Sequence, residues 1–178
     1  TKVDLLLHES EILSRGIHLS RSDRGGQATI HSPGQLVVYP IVSLRALGWG
    51  LRDYVETLLL TCQRLLQLYG IESELRLDSA GLYTKNGKIA FVGVRVERGI
   101  SSHGIALNVS NDLGHFAFIR SCGVKGALVD RMSDHITSPT CQELFIQWLE
   151  IFESHMSRFE PSAISPCAVN SLDRALTI

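Results

Sequence analysis

The sequence predicts an α+β fold in which helices pack on a mixed β-sheet. Two segments, residues 44–69 and 140–156, place apolar side chains at the three- and four-residue spacing of an amphipathic helix. Between them, residues 88–97 and 100–109 have the pattern of two strands joined by an Arg-Gly turn, which indicates a hairpin. Because helices and strands do not alternate regularly, a doubly wound parallel sheet is not favoured.

The first predicted helix, residues 44–69, carries a single apolar stripe. The residues of this stripe are Leu51, Val55, Leu58, Cys62, Leu65 and Tyr69. Ser43 is suited to cap the N-terminus of the helix, and Gly70 is suited to end it. Because Cys62 lies on the stripe, we expect it to be a packed core residue rather than a reactive thiol.

The second predicted helix, residues 140–156, also has one buried face. That face is expected to consist of Leu144, Phe145, Trp148, Leu149, Phe152 and Met156. Residues 35–41 form a short apolar run between turn residues, which predicts a further strand. Residues 158–178 are weakly patterned, and we expect a loop there.

Length, charge and cysteine usage limit the possible classes of function. The 178 residues suit a single domain over residues 1–178, and 44% hydrophobic with 20% charged residues is an ordinary globular composition. A net charge of −1 gives no general attraction to nucleic acid, and no apolar run is long enough to cross a membrane. Four cysteines without a C-x-x-C pair argue against a structural zinc site and against a disulfide framework. The chain opens without a secretory leader, so we expect a cytoplasmic or organelle-matrix protein.

Two turn segments lie close together near the N-terminus, and the first of them is a glycine-rich turn. In the first, Arg24 precedes two adjacent glycines, which allow a ligand or another segment to approach the backbone closely. Its arginine could bind a carboxylate or brace the loop, whereas the alternative is an ordinary tight turn. The second turn, residues 31–35, begins with the titratable His31. Two such turns around one short strand indicate the rim of a pocket.

The predicted hairpin has features that suit an alkyl chain. Lys88 begins the first strand, where it could simply extend its ammonium group to solvent at the sheet edge. Gly93 lies within that strand, and a glycine there often marks a place of close approach. The small residues Gly104 and Ala106 of the second strand could face Gly93 and form a narrow apolar slot. Ordinary hairpin packing is the alternative.

Cys122 is the candidate nucleophile. It lies in a Ser-Cys-Gly segment, where a loop could expose both its sulfur and a backbone N–H suited to an oxyanion. A reactive thiolate needs a nearby cation or a helix N-terminus, and Lys88 is a candidate cation. The alternative is an inert cysteine.

Together, four segments resemble the octanoyltransferase family, also called lipoate-protein ligase B. The segments are RGGQATIHSPGQL at residues 24–36, KIAFVGVR at residues 88–95, HGIALN at residues 103–108 and SCG at residues 121–123. They occur in the order and at the spacing of the family, and the similarity extends from about residue 4 to about residue 155. The combination is much more specific than any one of the segments.

The resemblance implies a fold of the biotin/lipoate protein ligase catalytic type and an acyl transfer without a cofactor. The octanoyl donor would be octanoyl acyl carrier protein. The acceptor would be a lysine on lipoyl domains of 2-oxoacid dehydrogenase complexes or on the glycine cleavage H protein. Cys122 matches the acyl-accepting cysteine, and Lys88 matches the lysine that favours its thiolate. The matching substrate-binding residues are Arg24, Gly25, Gly26, Gln27, Ala28, Thr29, Ile30, His31, Phe91, Val92, Gly93, Gly104, Ile105 and Ala106.

The chain departs from the family pattern in two ways. Ile30 and Ser32 replace a tyrosine and a glycine that are usual in the family, so the preferred acyl-chain length is open. The family also has an N-terminal helix and a strand with a His-Pro…Tyr-Thr-x-Gly stretch. This chain begins after that region, so we expect a domain that lacks the usual N-terminal segment.

Three alternatives to this function stay open, and one further expectation concerns docking. An ATP-dependent lipoate or biotin ligase would need no cysteine nucleophile, and a cysteine hydrolase would need His31 or His103 as its base. A non-catalytic relative would only bind acyl carrier protein or lipoyl domains. If the partners are acidic, we expect a basic rim around the pocket. Its members would be Arg95, Arg98, Arg120, Lys125 and Arg131.

Overall fold

The computed structural model describes residues 5–120 and 127–157, together with the backbone of Ala175–Thr177. The predictions for Cys122 and Lys125 lie outside these ranges, as does most of the predicted loop at residues 158–178. The helices in chain order are α1 (Glu9–Ser14), α2 (Leu44–Leu47), α3 (Leu51–Leu68) and α4 (Cys141–Met156). The strands are β1 (His18–Ser20), β2 (Thr29–His31), β3 (Gln35–Val38), β4 (Glu74–Arg76), β5 (Gly81–Tyr83), β6 (Lys88–Glu97), β7 (Ile100–Asn108) and β8 (Ala175–Thr177).

The predicted α+β class is confirmed, with the strands divided between two sheets. The larger sheet is antiparallel throughout and has the order β3-β7-β6-β5-β4. The smaller sheet is the mixed one, because β8 lies between β1 and β2 and is parallel to the first and antiparallel to the second. Strand β8 corrects the expectation of a loop throughout the C-terminal segment. Its pairing partners are far away in sequence, so local pattern does not reveal it.

The predicted helix over residues 44–69 is wrong as one element. It divides into α2 and α3 because Gly48 adopts a left-handed conformation with φ 67°, which ends the first helix. Ser43 caps α2 as predicted, and Gly70 follows α3 with φ 69°. Leu51, expected in the buried stripe, is 53% exposed at the start of α3.

The main core lies between α3, α4 and one face of the larger sheet. Cys62 is fully packed in this core as predicted, and burial raises the pKa of its thiol to about 12. In α4, Trp148 and Phe152 stack with ring centroids 4.7 Å apart. Thr140 caps this helix through a capping box with Glu143, so α4 begins and ends as the pattern predicted.

The hairpin of β6 and β7 is also confirmed. Its two-residue turn has left-handed conformations at Arg98 (φ 52°) and Gly99 (φ 82°), as a tight hairpin requires. Strand β3 is shorter than predicted and ends at Val38, before Pro40. A second, smaller core lies under the N-terminal segment, and Phe91 and Phe116 stack there at 5.3 Å. Within the described ranges, no helix combines the length and the hydropathy needed to cross a bilayer.

Candidate functional site

A register shift in the larger sheet determines where Lys88 points. Antiparallel pairing matches Leu82 with Ala90, but it matches Tyr83 with Lys88 rather than with Ile89. Strict alternation would place Lys88 on the same face as Ala90, in the main core. The irregularity reverses the faces, so Ile89 joins the core and Lys88 lines a cavity on the opposite side.

Lys88 is 4% exposed, and its ammonium group is enclosed by acceptors and rings. Nζ donates a hydrogen bond to the main-chain oxygen of Ser79 at 2.5 Å. It also lies 4.9 Å from the ring centre of Phe91 and 5.4 Å from that of Tyr83, within the range of cation–π attraction. The side chain crosses Gly81, where a Cβ would overlap Lys88 Cε and lie 2.7 Å from the oxygen of Ala90. Only glycine at this position leaves that path open. Lys88 therefore does not simply extend its ammonium group to solvent at the sheet edge, which was the alternative interpretation.

The hairpin contributes paired small residues on its cavity face. Gly93 pairs directly with Gly104, and Phe91 pairs with Ala106. A Cβ at Gly93 would lie 2.8 Å from Arg24 Cδ, so this glycine lets the first glycine-rich turn lie against the sheet.

The first glycine-rich turn is bound to β6 and braced from within. The Gly25 amide donates to Val94 O at 2.9 Å. The Arg24 guanidinium donates to Gly25 O at 3.2 Å and to Gln27 O at 2.6 Å. Arg24 therefore closes its own loop, and it also contributes to the wall of the cavity.

These elements enclose a cavity of about 430 Å³, a size typical of small-molecule sites. Of the predicted site residues, it brings together Arg24, Gly26, Gln27, Ala28, Thr29, His31, Lys88, Phe91, Val92, Gly93, Gly104, Ile105 and Ala106. Gly25 and Ile30 do not line it. Ile30 is buried in the smaller core, and the neighbouring Ser32 is also buried. The binding roles of all these residues stay predictions.

Four further residues of the cavity wall were missed in the sequence. They are Tyr39, Asp78, Ser79 and Ala80. Ala80 adopts φ 40°, a conformation that L-residues other than glycine rarely take, and the Ala80 oxygen accepts from Val92 N at 3.0 Å. An alanine gives no sequence signal of such a turn. The available hint of a turn was the Asp78-Ser79 pair, which lies two residues before Gly81.

His31 starts a chain of buried polar groups behind the cavity. Its Nδ1 lies 2.6 Å from Gln35 Oε1, and Gln35 Nε2 donates to Asn108 Oδ1 at 2.8 Å. Asn108 Nδ2 donates to the main-chain oxygen of Asp130 at 2.9 Å. Burial is the largest influence on the pKa of His31 and lowers it, the hydrogen bond with Gln35 opposes this, and Arg24 and His103 lower it further.

The four described members of the expected basic rim do not line the cavity, and two of them face carboxylates. Asp23 accepts from Arg95 and, at 3.0 Å, from His103 Nε2. Arg131 donates to Asp134 at 2.8 Å. Arg98 and Arg120 are exposed. Of the expected rim, two cations therefore face carboxylates and two are open to solvent.

The segment that follows Cys122 is attached to Lys88 through the backbone. Lys88 N donates to Leu128 O at 2.9 Å, and Asp130 N donates to Lys88 O at 3.0 Å. The buried carboxylate of Asp130 accepts from Thr84 and lies 2.6 Å from His135 Nε2. In sequence, Cys122 is the sixth residue before Leu128.

Comparisons with known proteins agree with the fold. The chain matches the family profile "Lipoyl protein ligase A/B catalytic domain" over residues 1–153. The octanoyltransferase of Cellvibrio japonicus is 48% identical over 118 residues, which cover 66% of this chain and 55% of that protein. The octanoyltransferase of Dichelobacter nodosus is 39% identical over 145 residues, covering 80% of this chain and 72% of that protein. The chain thus spans slightly more than half the length of the first curated relatives it matches.

Solved structures show the same fold at low sequence identity. The bipartite lipoate protein ligase of Thermoplasma acidophilum has a TM-score of 0.71 and 15% identity, covering 88% of this chain and 64% of that one. The biotin protein ligase of Aquifex aeolicus has a TM-score of 0.55 and 11% identity, covering 80% and 70%. The predicted biotin/lipoate ligase type is thereby confirmed. From the profile match and the curated relatives, the chain belongs to the lipoyl protein ligase A/B catalytic-domain family and, within it, to the octanoyltransferases.

Proposed function

We propose that this chain transfers an octanoyl group from octanoyl acyl carrier protein to a lysine of a lipoyl domain, through a thioester on Cys122. The family supports the reaction class, because its curated relatives are named octanoyltransferases. The observation that carries the proposal is the position of Lys88, which is buried and lines the cavity next to the apolar Phe91.

The cavity suits an acyl chain that ends near a cation. Phe91 and Ala106 give one side of the cavity an apolar wall, and Gly93 and Gly104 of the same two strands also line the cavity. Burial of each methylene would contribute about 0.8 kcal/mol, so the slot can select chain length. Lys88 at this wall provides positive charge next to a site of developing negative charge.

Cys122 is the proposed nucleophile among four cysteines. Burial raises the pKa of both Cys62 and Cys141, which makes these two thiols poor nucleophiles. The Ser-Cys-Gly segment lies between Arg120 and the residues that pair with Lys88 in the backbone. This connectivity supports a pairing of the Cys122 thiolate with the Lys88 ammonium group.

The reaction then has two balanced steps. In the first step, Cys122 Sγ forms a bond to the acyl carbonyl carbon, and the bond from that carbon to the sulfur of the carrier breaks. In the second step, the lysine amine of the lipoyl domain forms the C–N bond, the C–S bond breaks so that Cys122 leaves as a thiolate, and the proton lost by the amine nitrogen passes to solvent. One thioester replaces another in the first step, so no ATP is needed, and amide formation drives the second. A lipoyl-domain acceptor agrees with the lipoylation system of Thermoplasma acidophilum, which comprises the bipartite ligase and its E2 lipoyl domain.

Mass spectrometry of the chain after incubation with octanoyl acyl carrier protein tests the proposal. One octanoyl group should appear on the peptide that contains Cys122, and a lipoyl domain should remove it without ATP. The variant Cys122→Ala should stay unmodified, whereas Cys141→Ala should load like wild type.

The same assay separates the alternatives. Transfer that requires ATP would indicate a ligase, release of free octanoate would indicate a hydrolase, and binding of the carrier without any covalent adduct would indicate a non-catalytic relative. Modification of Cys62, Cys141 or Cys167 instead of Cys122 would contradict the assignment of the nucleophile.

A further inference from the structure

Asp130 carries a buried carboxylate whose two oxygens are both in use. The residue is 2% exposed, and a carboxylate in such a place needs hydrogen-bond donors around it. Its Oδ1 accepts from the Arg131 amide at 2.9 Å. Its Oδ2 accepts from the Thr84 hydroxyl and lies 2.6 Å from His135 Nε2. The carboxylate therefore joins the turn before β6 to the segment that follows residue 130.

The main chain around Asp130 binds the main chain of Lys88. Lys88 N donates to Leu128 O at 2.9 Å, and Asp130 N donates to Lys88 O at 3.0 Å, in the pattern of a parallel bridge. Both main-chain polar groups of Lys88 are thus held by residues 128–130. The main-chain oxygen of Asp130 accepts from Asn108 Nδ2 at 2.9 Å, so this segment is also tied to the end of β7.

The turn that contains Thr84 lies directly on the same segment. A Cβ at Gly87 would be 2.6 Å from the main-chain carbon and oxygen of Leu128, so the two stretches of backbone touch there. Thr84 N donates to Gly87 O at 2.9 Å, and Asn86 N donates to Thr84 Oγ1 at 3.1 Å. The Thr84 hydroxyl has one hydrogen, and the Asp130 carboxylate is a stronger acceptor than a main-chain oxygen. The turn is therefore closed on itself and anchored to Asp130.

Lys88 needs such an anchor because its position in the sheet is irregular. The pairing of β5 with β6 shifts by one residue between Leu82 and Tyr83, so Ile89 is an extra residue in β6. The ladder with β5 does not by itself require this shift, and a regular register would point the Lys88 side chain to the main core. The bonds to the segment at Asp130 fix the main chain of Lys88 at the irregularity.

We propose that Asp130 is a positioning residue for Lys88: its carboxylate holds the segment that binds the Lys88 main chain, and thereby keeps the Lys88 side chain in the cavity. Asp130 does not line the cavity, so it acts through Lys88. The effect on catalysis rests on the proposed function, whereas the effect on the place of the side chain does not. Loss of the carboxylate should free the start of β6, so that Lys88 Nζ leaves the Ser79 oxygen and the rings of Phe91 and Tyr83.

NMR of the lysine side chains tests the place of Lys88 without any substrate. Its ε protons lie near the rings of Phe91 and Tyr83, whose ring currents should separate them from the signals of the other lysines, and Lys88→Arg assigns them. In Asp130→Asn, an NH₂ group that cannot accept replaces one oxygen, so the signal should move to that of an exposed lysine. Asp134→Asn, at an exposed position nearby, is the matched control and should leave the signal unchanged. An unchanged Lys88 signal in folded Asp130→Asn would overturn the proposal.

Thr84 offers a milder variant in case Asp130→Asn does not fold. Thr84→Val keeps the shape of the side chain and removes the hydroxyl that donates to Asp130, so the Lys88 signal should shift part of the way. Thr84→Ser keeps the hydroxyl and should bring the signal back to its wild-type position. The same shift in both variants, or in neither, would contradict a role for the bond to the carboxylate.

Transfer kinetics show whether the carboxylate acts through Lys88. In Asp130→Asn, kcat for octanoyl transfer should fall about tenfold or more with a small change in KM, because the cavity stays intact while Lys88 is misplaced. In a Lys88→Ala background, the same substitution should have little further effect on kcat. Additive losses in the double variant would show that Asp130 only supports the structure and would overturn the inference.

The two readouts separate this inference from the function on which it rests. If the wild-type chain transfers no octanoyl group, the proposed function is wrong, and the NMR shifts still decide whether Asp130 positions Lys88. A displaced Lys88 signal with unchanged transfer would uphold the positioning and contradict the catalytic role of Lys88.

Discussion

The two faces of the hairpin β6–β7 differ in what they contact, because one packs in the main core and the other lines the cavity. On one face, branched and aliphatic side chains fill the main core, including Val94, Ile105 and Leu107. On the other face, Gly93 and Gly104 lie opposite each other and line the cavity, and the missing side chain at Gly93 lets Arg24 lie against the strand. Alternation along a strand thus separates the residues that stabilise the fold from the residues that form the cavity. One register shift then moves a lysine from the first set to the second.

The largest effect is expected when Lys88, which the register shift places on the cavity face, is removed. Lys88→Ala should lower octanoyl transfer about 100- to 1000-fold, because the proposed mechanism relies on its charge next to the thioester. Its melting temperature should stay close to that of wild type, since Lys88 lies outside the main core. Steady-state kinetics and thermal melts measure the two effects.

Lys88→Arg sharpens the interpretation, because arginine keeps the charge in a larger and permanently protonated group. Partial recovery of loading in this variant would support a purely electrostatic role. Near-normal transfer by Lys88→Ala would show that the charge is not needed.

A matched substitution on the core face should lower the stability of the fold and leave the rate of transfer nearly unchanged. Leu107→Ala removes a side chain that is 1% exposed, so the free energy of unfolding should decrease by about 2–5 kcal/mol. Transfer per folded molecule should change little. Chemical denaturation and active-site titration check this, and a large loss of turnover with unchanged stability would contradict the division between the faces.

A substitution at Gly81 tests whether the missing side chain there is what lets the Lys88 side chain reach the cavity. In Gly81→Ala, the new methyl group would overlap Lys88 Cε, so the ammonium group must move away from Ser79 O. We expect about a tenfold loss of transfer or more, concentrated in kcat rather than in KM. Gly50→Ala, where a Cβ would be 3.3 Å from the flexible Asp53 carboxylate, is the control and should transfer normally. Equal effects of the two substitutions would rule out a specific role for Gly81.

The cavity wall itself should respond to smaller changes. Ala106→Val adds bulk beside Phe91, so the preferred donor should become shorter than octanoyl. Each lost methylene contact corresponds to about 0.8 kcal/mol, or about fourfold in relative kcat/KM. Competition between six- and eight-carbon donors measures the shift. An unchanged preference would indicate that the acyl chain does not reach Ala106.

The smallest effect is expected from two exposed arginines of the expected basic rim. Arg98→Asp with Arg120→Glu reverses two exposed charges, and aspartate tolerates the left-handed conformation at position 98. Transfer from acyl carrier protein should fall about two- to fivefold at low salt, and transfer from a small octanoyl thioester should not change. Equal losses with both donors would exclude a docking role.

Sequence patterns predicted those parts of the fold that depend on local periodicity. Helix α4 and the hairpin follow from alternation or from helical spacing within one segment. The break between α2 and α3 was missed, although two glycines flank Trp49 and the predicted apolar stripe begins only after them, at Leu51. The register shift at Leu82 was also missed, because a neighbouring strand determines it.

The site was predicted only in part for a similar reason. Motif residues such as Arg24, His31 and Lys88 are recognisable by type and spacing, and all three line the cavity. Ser79 takes part through its main-chain oxygen, which any residue could provide. The direction of the hydrogen bonds behind His31 depends on Asp130, about one hundred positions away in sequence, and no local pattern contains that information.

The central place of β8 in the smaller sheet has a consequence for the order in which the chain can fold during its synthesis. Strand β2, which ends at His31, has β8 as its partner, and β8 begins at residue 175. A ribosome delivers residues in order, so β2 cannot pair with β8 until residue 175 and its neighbours have emerged. The larger sheet and α3 can assemble earlier on the nascent chain. Strand β2, and His31 with it, should therefore reach its final pairing only after residue 175 has been synthesised, later than the larger sheet.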